Sequence, residues 1–259
     1  MSEKRKIVLV GTGFVGMSMA YSFLSTGGID ELVLLDVAKE KAVGEAMDLQ
    51  HGLPYARGKM EIYAGDYADC RDASIVVITA GAAQKPEETR LDLTAKNAKI
   101  MKSVVESIMA SGFDGILIIA SNPVDGMTYL AQKVSGLPKE RVIGSGTILD
   151  TARLRYMMSE YLDVSSSNMH AYIMGEHGDS EFVPWSQALL ATKPILELCG
   201  ENGEAVCRQR FDEIEEEVRT AAYKIIEAKS ATYYGIGMAL TRITKAILGD
   251  EHSVLTVSA

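Results

Sequence analysis

A chain of 259 residues with 47% hydrophobic side chains can bury a large core and form a nucleotide-sized domain with a smaller lobe. Its formal net charge of −9 excludes the basic footprint of a nucleic-acid binder. No apolar run has the length of a bilayer span or a signal-peptide core, so a cytoplasmic protein with no membrane partner is expected. Cys70, Cys199 and Cys207 show neither C-x-x-C nor zinc spacing and read as reduced thiols. The four histidines, His51, His170, His177 and His252, include no H-x-x-x-H pair, and no metal is expected.

In chain order, the first element is an apolar strand, KIVLV at 6–10. It leads into GTGFVG, Gly11 to Gly16, and then a helix-like run, MSMAYSFLSTG. There Gly11 permits a tight turn, Gly13 lets backbone amides approach a pyrophosphate, and Gly16 lets helix and strand pack closely. The helix start at Phe14 and Val15 faces the negative charge. The next strand, ELVLLD, ends in Asp36, where a carboxylate accepts hydrogen bonds from the adenosine ribose hydroxyls and repels a 2′-phosphate. NAD is therefore the expected cofactor, with Gly11, Gly13, Phe14, Val15, Gly16 and Asp36 as its candidate contacts.

Further apolar runs at 75–80 and 115–121 flank helical stretches such as LTAKNAKIMKSVVESIMASG. Their alternation implies a parallel sheet with crossover helices, a doubly wound α/β (Rossmann) domain over 1–145. AGAAQKPEETRLDL, containing Gln84 and Arg90, has the glycine, proline and charge content of a mobile loop, and Asn122 stands at a turn before Pro123. Beyond residue 145 come a helix through Leu149 to Tyr161 and an extended run, NMHAYIM. A long amphipathic helix follows, with Phe211, Ile214, Val218, Ala222 and Ile225 on one stripe. These form a second, smaller α+β lobe over 146–259, joined without a linker.

Chemistry concentrates in that lobe. Asp150 and Arg153, in ILDTARLR, stand one helical turn apart and project to one side; His177 follows in MGEHGDS. A carboxylate that fixes an imidazole's tautomer, a guanidinium that grips a carboxylate, and the imidazole itself suit acid/base work on a small organic acid. Asp150 also reads as a helix cap. A competing short-chain dehydrogenase reading rests on Tyr129 and Lys133 in YLAQK. It fails because the glycine pattern differs and no serine lies at the expected upstream distance.

GTGFVGMSMAY, AGAAQKPEETRLDL, SNPVD, GTILDTARLR, GEHGDS and ATYYGIG, in this order, resemble the lactate/malate dehydrogenase family, in its bacterial L-lactate dehydrogenase branch, over essentially the whole chain. The resemblance implies that His177 exchanges a proton with the substrate oxygen, oriented by Asp150, and that Arg153 binds the substrate carboxylate. It implies that Arg90 polarises the ketone after loop closure and that Asn122 contacts both substrate and nicotinamide. Gln84 occupies a position where malate dehydrogenases carry arginine, and Thr232 lines the pocket's small end. Pyruvate and lactate are then the expected substrates, with malate or a larger 2-oxo acid as the alternative. Arg155 and His170 match positions that bind fructose 1,6-bisphosphate, and a homotetramer is implied. The family continues for roughly fifty residues beyond SVLTVSA, so the second lobe looks C-terminally incomplete, with an unpaired strand edge. A catalytically impaired NAD-binding fragment is the alternative on that ground.

Overall fold

The computed structural model describes residues 4–82 and 90–259, the side chains of 90 and 199–206 excepted. Contacts divide the chain into two compact units: residues 1–145 with 233–254 and 258–259, and residues 146–232 with 255–257.

The first unit is built on β1 (Lys6–Val10), β2 (Glu31–Leu35), β3 (Glu61–Ala64), β4 (Ile75–Ile78), β5 (Ile116–Ile119) and β6 (Val142–Gly144). These form one six-stranded sheet in the order β3-β2-β1-β4-β5-β6, parallel at every pairing. Such a sheet is covered on both faces, and its central strands are therefore continuous apolar runs rather than alternating ones. KIVLV, ELVLL and IVVI are buried at every position. The covering helices are α1 (Phe14–Thr26), α2 (Lys39–Gly52), α3 (Arg90–Ala110) and α4 (Val124–Ser135). Met101, Val105 and Ile108 of α3 and Met127 and Ala131 of α4 pack with Val8, Val76 and Leu117 in one core. β3 and β6, short strands at the two edges, carry too little apolar pattern to be expected from the sequence.

Helix α7 (Tyr234–Leu248) packs on α1, and the approach is close at Gly237, where a Cβ would lie 2.6 Å from Ser18 Cβ and 2.8 Å from Met19 N. Residues 233–254 thus group by their contacts with the first unit. Sequence periodicity misses this because only the long-range fit of α7 on α1 decides it. At the N-terminal ends of the strands, Lys6 Nζ pairs with Asp72 Oδ1 at 2.7 Å, with Glu31 Oε1 at 3.6 Å and with Asp69 Oδ1 at 3.6 Å. Tyr63 Oη donates to both Glu31 and Asp69, and Lys4 pairs with Glu31 from the surface.

The second unit contains α5 (Ile148–Leu162), β7 (Met169–His170), β8 (Leu189–Leu190), β9 (Lys193–Pro194) and α6 (Gly200–Lys229). The three short strands form an antiparallel sheet. NMHAYIM is a strand only at its start. Leu154 and Met158 of α5, Ile173, Val183 and Trp185, and Phe211, Ile214 and Val218 of α6 make the core. Trp185 stacks on Phe211 at 4.8 Å. Truncating a buried phenylalanine of this kind costs about 3–5 kcal/mol.

Two expectations meet the structure here. In the first unit, SVLTVSA contributes a single antiparallel bridge, Ser258 to Gly144, along the outer side of β6, rather than a strand. Cys70 is a free, buried thiol that burial pushes up to about 12, but Cys207 is disulfide-bonded, against the expectation of three reduced thiols. Proximity in the folded chain decides pairing, and sequence spacing does not report it; the Cys199 side chain lies outside the described residues.

Candidate active site and nucleotide site

The nucleotide site grows out of the first strand-turn-helix. Gly11 adopts φ +106°, and a Cβ there would lie 2.7 Å from Ala80 N; at Gly16 it would lie 2.2 Å from Gly11 O. Only glycine allows both the turn and the close packing of α1 on the sheet. A Cβ at Gly13 would meet nothing within 4 Å and would fill the open space in front of the turn. That space belongs to a cavity of about 620 Å³ whose walls include Gly11, Gly13, Asp36, Lys41, Tyr67 and Thr79.

Asp36 Oδ2 accepts hydrogen bonds from Thr12 N at 2.8 Å and Thr12 Oγ1 at 2.9 Å, and Oδ1 accepts one from Ala38 N at 3.0 Å. Burial alone would raise its pKa, yet these bonds and the Lys41 ammonium hold it below the usual carboxylate range. An ionised carboxylate at the far end of a glycine cradle fits the ribose and pyrophosphate of NAD. Lys41, which donates to Thr12 O at 2.6 Å, and Tyr67 were not singled out in the sequence. Both sit where composition alone reads as solvated surface. Of the other candidates, Val15 is half-buried, whereas the exposed Phe14 ring stacks on Tyr233 at 5.1 Å and neither lines the cavity, so a contribution to the cofactor falls to their backbone. Asn122 is exposed at the end of β5, before a cis Pro123, and its carbonyl accepts a hydrogen bond from Asn97 Nδ2 at 2.9 Å. Asn97 Oδ1 in turn accepts one from Ala82 N at 2.8 Å.

The second unit brings its predicted acid/base residues together. Asp150 lies in the first turn of α5, only 2% exposed, and His177 lies in the loop after β7. His177 Nδ1 is 2.6 Å from Asp150 Oδ2, and Arg153 Nη1 donates to Asp150 Oδ1 at 2.8 Å. One buried carboxylate thus holds the imidazole with one oxygen and the guanidinium with the other. Glu181, also buried, places Oε2 3.7 Å from His177 Nδ1. Asp150 and then Glu181 push the His177 pKa well above 6.5, outweighing burial. Burial would raise the pKa of Asp150, but His177 and Arg153 lower it. The imidazole is held as a cation at neutral pH, its Nδ1–H directed at Asp150, and its Nε2–H is the proton it can transfer.

Asp150, His177 and Glu181 also place three donor atoms within 4.8 Å of one another. Two ligands about 2 Å from one metal ion in tetrahedral array stand more than 3 Å apart. The 2.6 Å contact is that of a hydrogen bond. Glu181 carries no signal in the sequence, because an acid after HGDS reads as surface until its burial is seen.

A family model described as the lactate/malate dehydrogenase NAD binding domain matches residues 5–144, and one described as the alpha/beta C-terminal domain matches 147–259. The chain belongs to the lactate/malate dehydrogenase family. L-lactate dehydrogenase 2 of Bacillus cereus is 59% identical over 254 residues, covering 98% of this chain and 81% of that protein. An L-lactate dehydrogenase of a Geobacillus strain is 56% identical over 257 residues, covering 98% of this chain and 79% of its own length. Among solved structures, the ligands-bound form of the minor L-lactate dehydrogenase of Enterococcus mundtii superposes with a TM-score of 0.97 at 49% identity, covering 100% of this chain and 82% of that one.

Arg155, on α5, donates from Nε to Ala171 O at 3.0 Å and lies over the Tyr172 ring at 4.8 Å. It is thereby held beside the backbone of β7, where His170 is exposed. Thr232 is half-buried at the end of the second unit's main segment. Gln84 lies outside the described residues, as does the side chain of Arg90.

Proposed function

We infer that the chain is an NAD-dependent L-lactate dehydrogenase, catalysing pyruvate + NADH + H⁺ to L-lactate + NAD⁺ and the reverse. The observation that carries it is the Asp150 carboxylate shared between His177 and Arg153, at 2.6 and 2.8 Å. NADH, held at Gly11, Gly13 and Asp36, supplies the hydride. In reduction His177 gives its Nε2 proton to the ketone oxygen as charge develops there. Asp150 keeps the ring in the competent tautomer and stabilises the cation before transfer. Arg153 binds the substrate carboxylate with the guanidinium face that Asp150 orients. In oxidation the neutral imidazole takes the hydroxyl proton. Arg90 is assigned to polarising the ketone, Asn122 to the substrate oxygen and nicotinamide, and Thr232 to the small end of the pocket.

Gln84 sets the substrate: a neutral amide offers no partner to a second carboxylate, and an unpaired charge is costly in a closed site. The test is the rate of NADH oxidation with pyruvate and with oxaloacetate, in the parent and in Gln84→Arg. The parent should prefer pyruvate, and the substitution should move the ratio toward oxaloacetate by about tenfold or more. An unchanged ratio would remove Gln84 from the pocket.

Two further readings extend this one. Exposed apolar side chains on α1, α2 and α7, including Tyr21, Met47, Tyr234 and Met238, support association of this face with another copy, here toward a homotetramer. Arg155 and His170 support an activating site for fructose 1,6-bisphosphate, where a guanidinium and an imidazole receive phosphate. The effector should lower the pyruvate concentration for half-maximal rate in the parent and not in Arg155→Gln. A cytoplasmic setting is consistent with the absence, among the described residues, of any helix long and apolar enough to cross a membrane.

A further inference from the structure

Three side chains of α6, Glu215, Arg219 and Tyr223, lie four residues apart on one face and all reach the segment that carries His177. Tyr223 Oη donates to Asp179 Oδ1 at 2.9 Å, and Arg219 Nη2 donates to Glu181 O at 3.1 Å. Trp185 Nε1 donates to Glu215 Oε2 at 2.9 Å, and one turn earlier Phe211 stacks on the Trp185 ring. As the helix number rises, the partner number falls, 185, 181, 179, so segment and helix run antiparallel and are fastened at successive turns. Arg219 is itself braced by Glu215 and Glu216. Within the segment the chain is irregular, held to itself by the Met174–Phe182 bridge and by short-range turn bonds such as Glu181 N to Gly178 O at 3.1 Å, so the bonds to α6 supply its fastening to a regular element.

We propose that the Glu215–Arg219–Tyr223 face of α6 is the positioning element of the active site, fixing the His177 segment so that the imidazole meets Asp150 on α5. Its centre is Arg219, which grips the main chain of Glu181, the residue whose carboxyl also faces the ring. His177 is faced by Asp150, with Arg153 behind it, from α5, and by Glu181 from its own segment, while α6 contributes the charges of Arg219 and Glu215 behind that segment. None of the three α6 side chains touches the reacting atoms in this assignment. They act through the distance between His177 and a carboxylate on a different helix, and a displacement of about 1 Å in such geometry is enough to cost catalysis heavily. The proposal rests on the reading of His177 as the proton donor.

The experiment compares the parent with Arg219→Met, Arg219→Lys and Tyr223→Phe. The first readout is the low-field proton resonance of the His177 Nδ1–H bonded to Asp150, assigned by its loss in His177→Asn. The second is turnover of pyruvate with NADH and with NADH deuterated at the transferred position, alongside the NADH dissociation constant. In Arg219→Met the resonance should move upfield or broaden away, turnover should fall about tenfold or more, and the isotope effect should rise as the chemical step becomes limiting. NADH binding should stay unchanged. Arg219→Lys should recover part of each effect, and Tyr223→Phe, which alters one hydroxyl, should show a smaller change in the same direction and serves if Arg219→Met does not fold. A resonance absent from the parent, or unmoved in both Arg219→Met and Tyr223→Phe, overturns the proposal, as does turnover that falls only with the folded fraction at constant isotope effect. A parent without pyruvate turnover whose resonance still responds to Arg219→Met would instead refute the assigned reaction and leave the positioning role standing.

Discussion

Among the described residues the chain buries mixed charges in two places, and the two clusters differ in what they leave open. Around Lys6, a side chain only 5% exposed, every partner is an acid, and Tyr63 closes the gap between Glu31 and Asp69. Burial would lower the pKa of Lys6 and raise that of Glu31, and their partners reverse both tendencies, so the network holds fixed charges across the neutral range. Around Asp150 the third member is an imidazole that keeps 30% of its surface. The same ingredients thus produce a strap in one unit and, in the function proposed above, a proton carrier in the other. The difference lies in one titratable ring and its access to solvent.

The sharpest way to separate the clusters is to remove that ring. His177→Asn should lower pyruvate turnover by about 10³-fold or more while NADH binding persists, since the glycine cradle and Asp36 are untouched. Steady-state kinetics beside a fluorescence titration decides it, and near-normal turnover would end the assignment.

Asp150→Asn should cost less, on the order of 10²-fold, and should also move the pH profile. Because Asp150 raises the His177 pKa, the alkaline limb of pyruvate reduction should shift to lower pH in the variant. Linkage gives the stability a defined sign. The raised imidazole contributes fully below its ordinary 6.5, and that contribution disappears as pH rises through the elevated value. The lowered carboxylate contributes above its ordinary 3.8 and loses this as pH falls through the depressed one. Urea unfolding across pH in parent and variant checks both limbs.

Lys6→Met should leave kcat of the folded enzyme unchanged and cost about 3 kcal/mol of unfolding free energy, the scale for stranding buried partners. A loss of catalysis without a loss of stability would erase the contrast between the clusters.

What the sequence disclosed follows the same physical divide. The central strands were legible because burial on both faces makes them continuous apolar runs, and the edge strands were not: EIYA at 61–64 exposes Glu61 and uses Tyr63 as a hydrogen-bond donor. Asp150 and His177 were legible through their motifs. Glu181 and Asn97 were not, since a carboxylate or an amide declares its role only once burial and partners are known. Lys6 and Glu31 read as polar strand ends for the same reason. The disulfide of Cys207 and the return of α7 to the first unit depend on contacts between distant residues, to which periodicity is blind.

The packing of α7 on α1 has a consequence for how the molecule is made. The first unit's α1 carries Met19 and Ser22, both buried, and Ser22 Oγ contacts Met238 Sδ at 3.1 Å. A ribosome therefore delivers the nucleotide-binding framework in two instalments, with the whole lobe from 146 to 232 emerging between them. Until Leu248 has left the exit tunnel, one flank of α1 stays wet, and the lobe in between is free to fold before the framework that precedes it is finished. A gene cut after residue 145 would yield a sheet whose covering is missing a helix; a workable fragment would have to graft 233–254 back onto it.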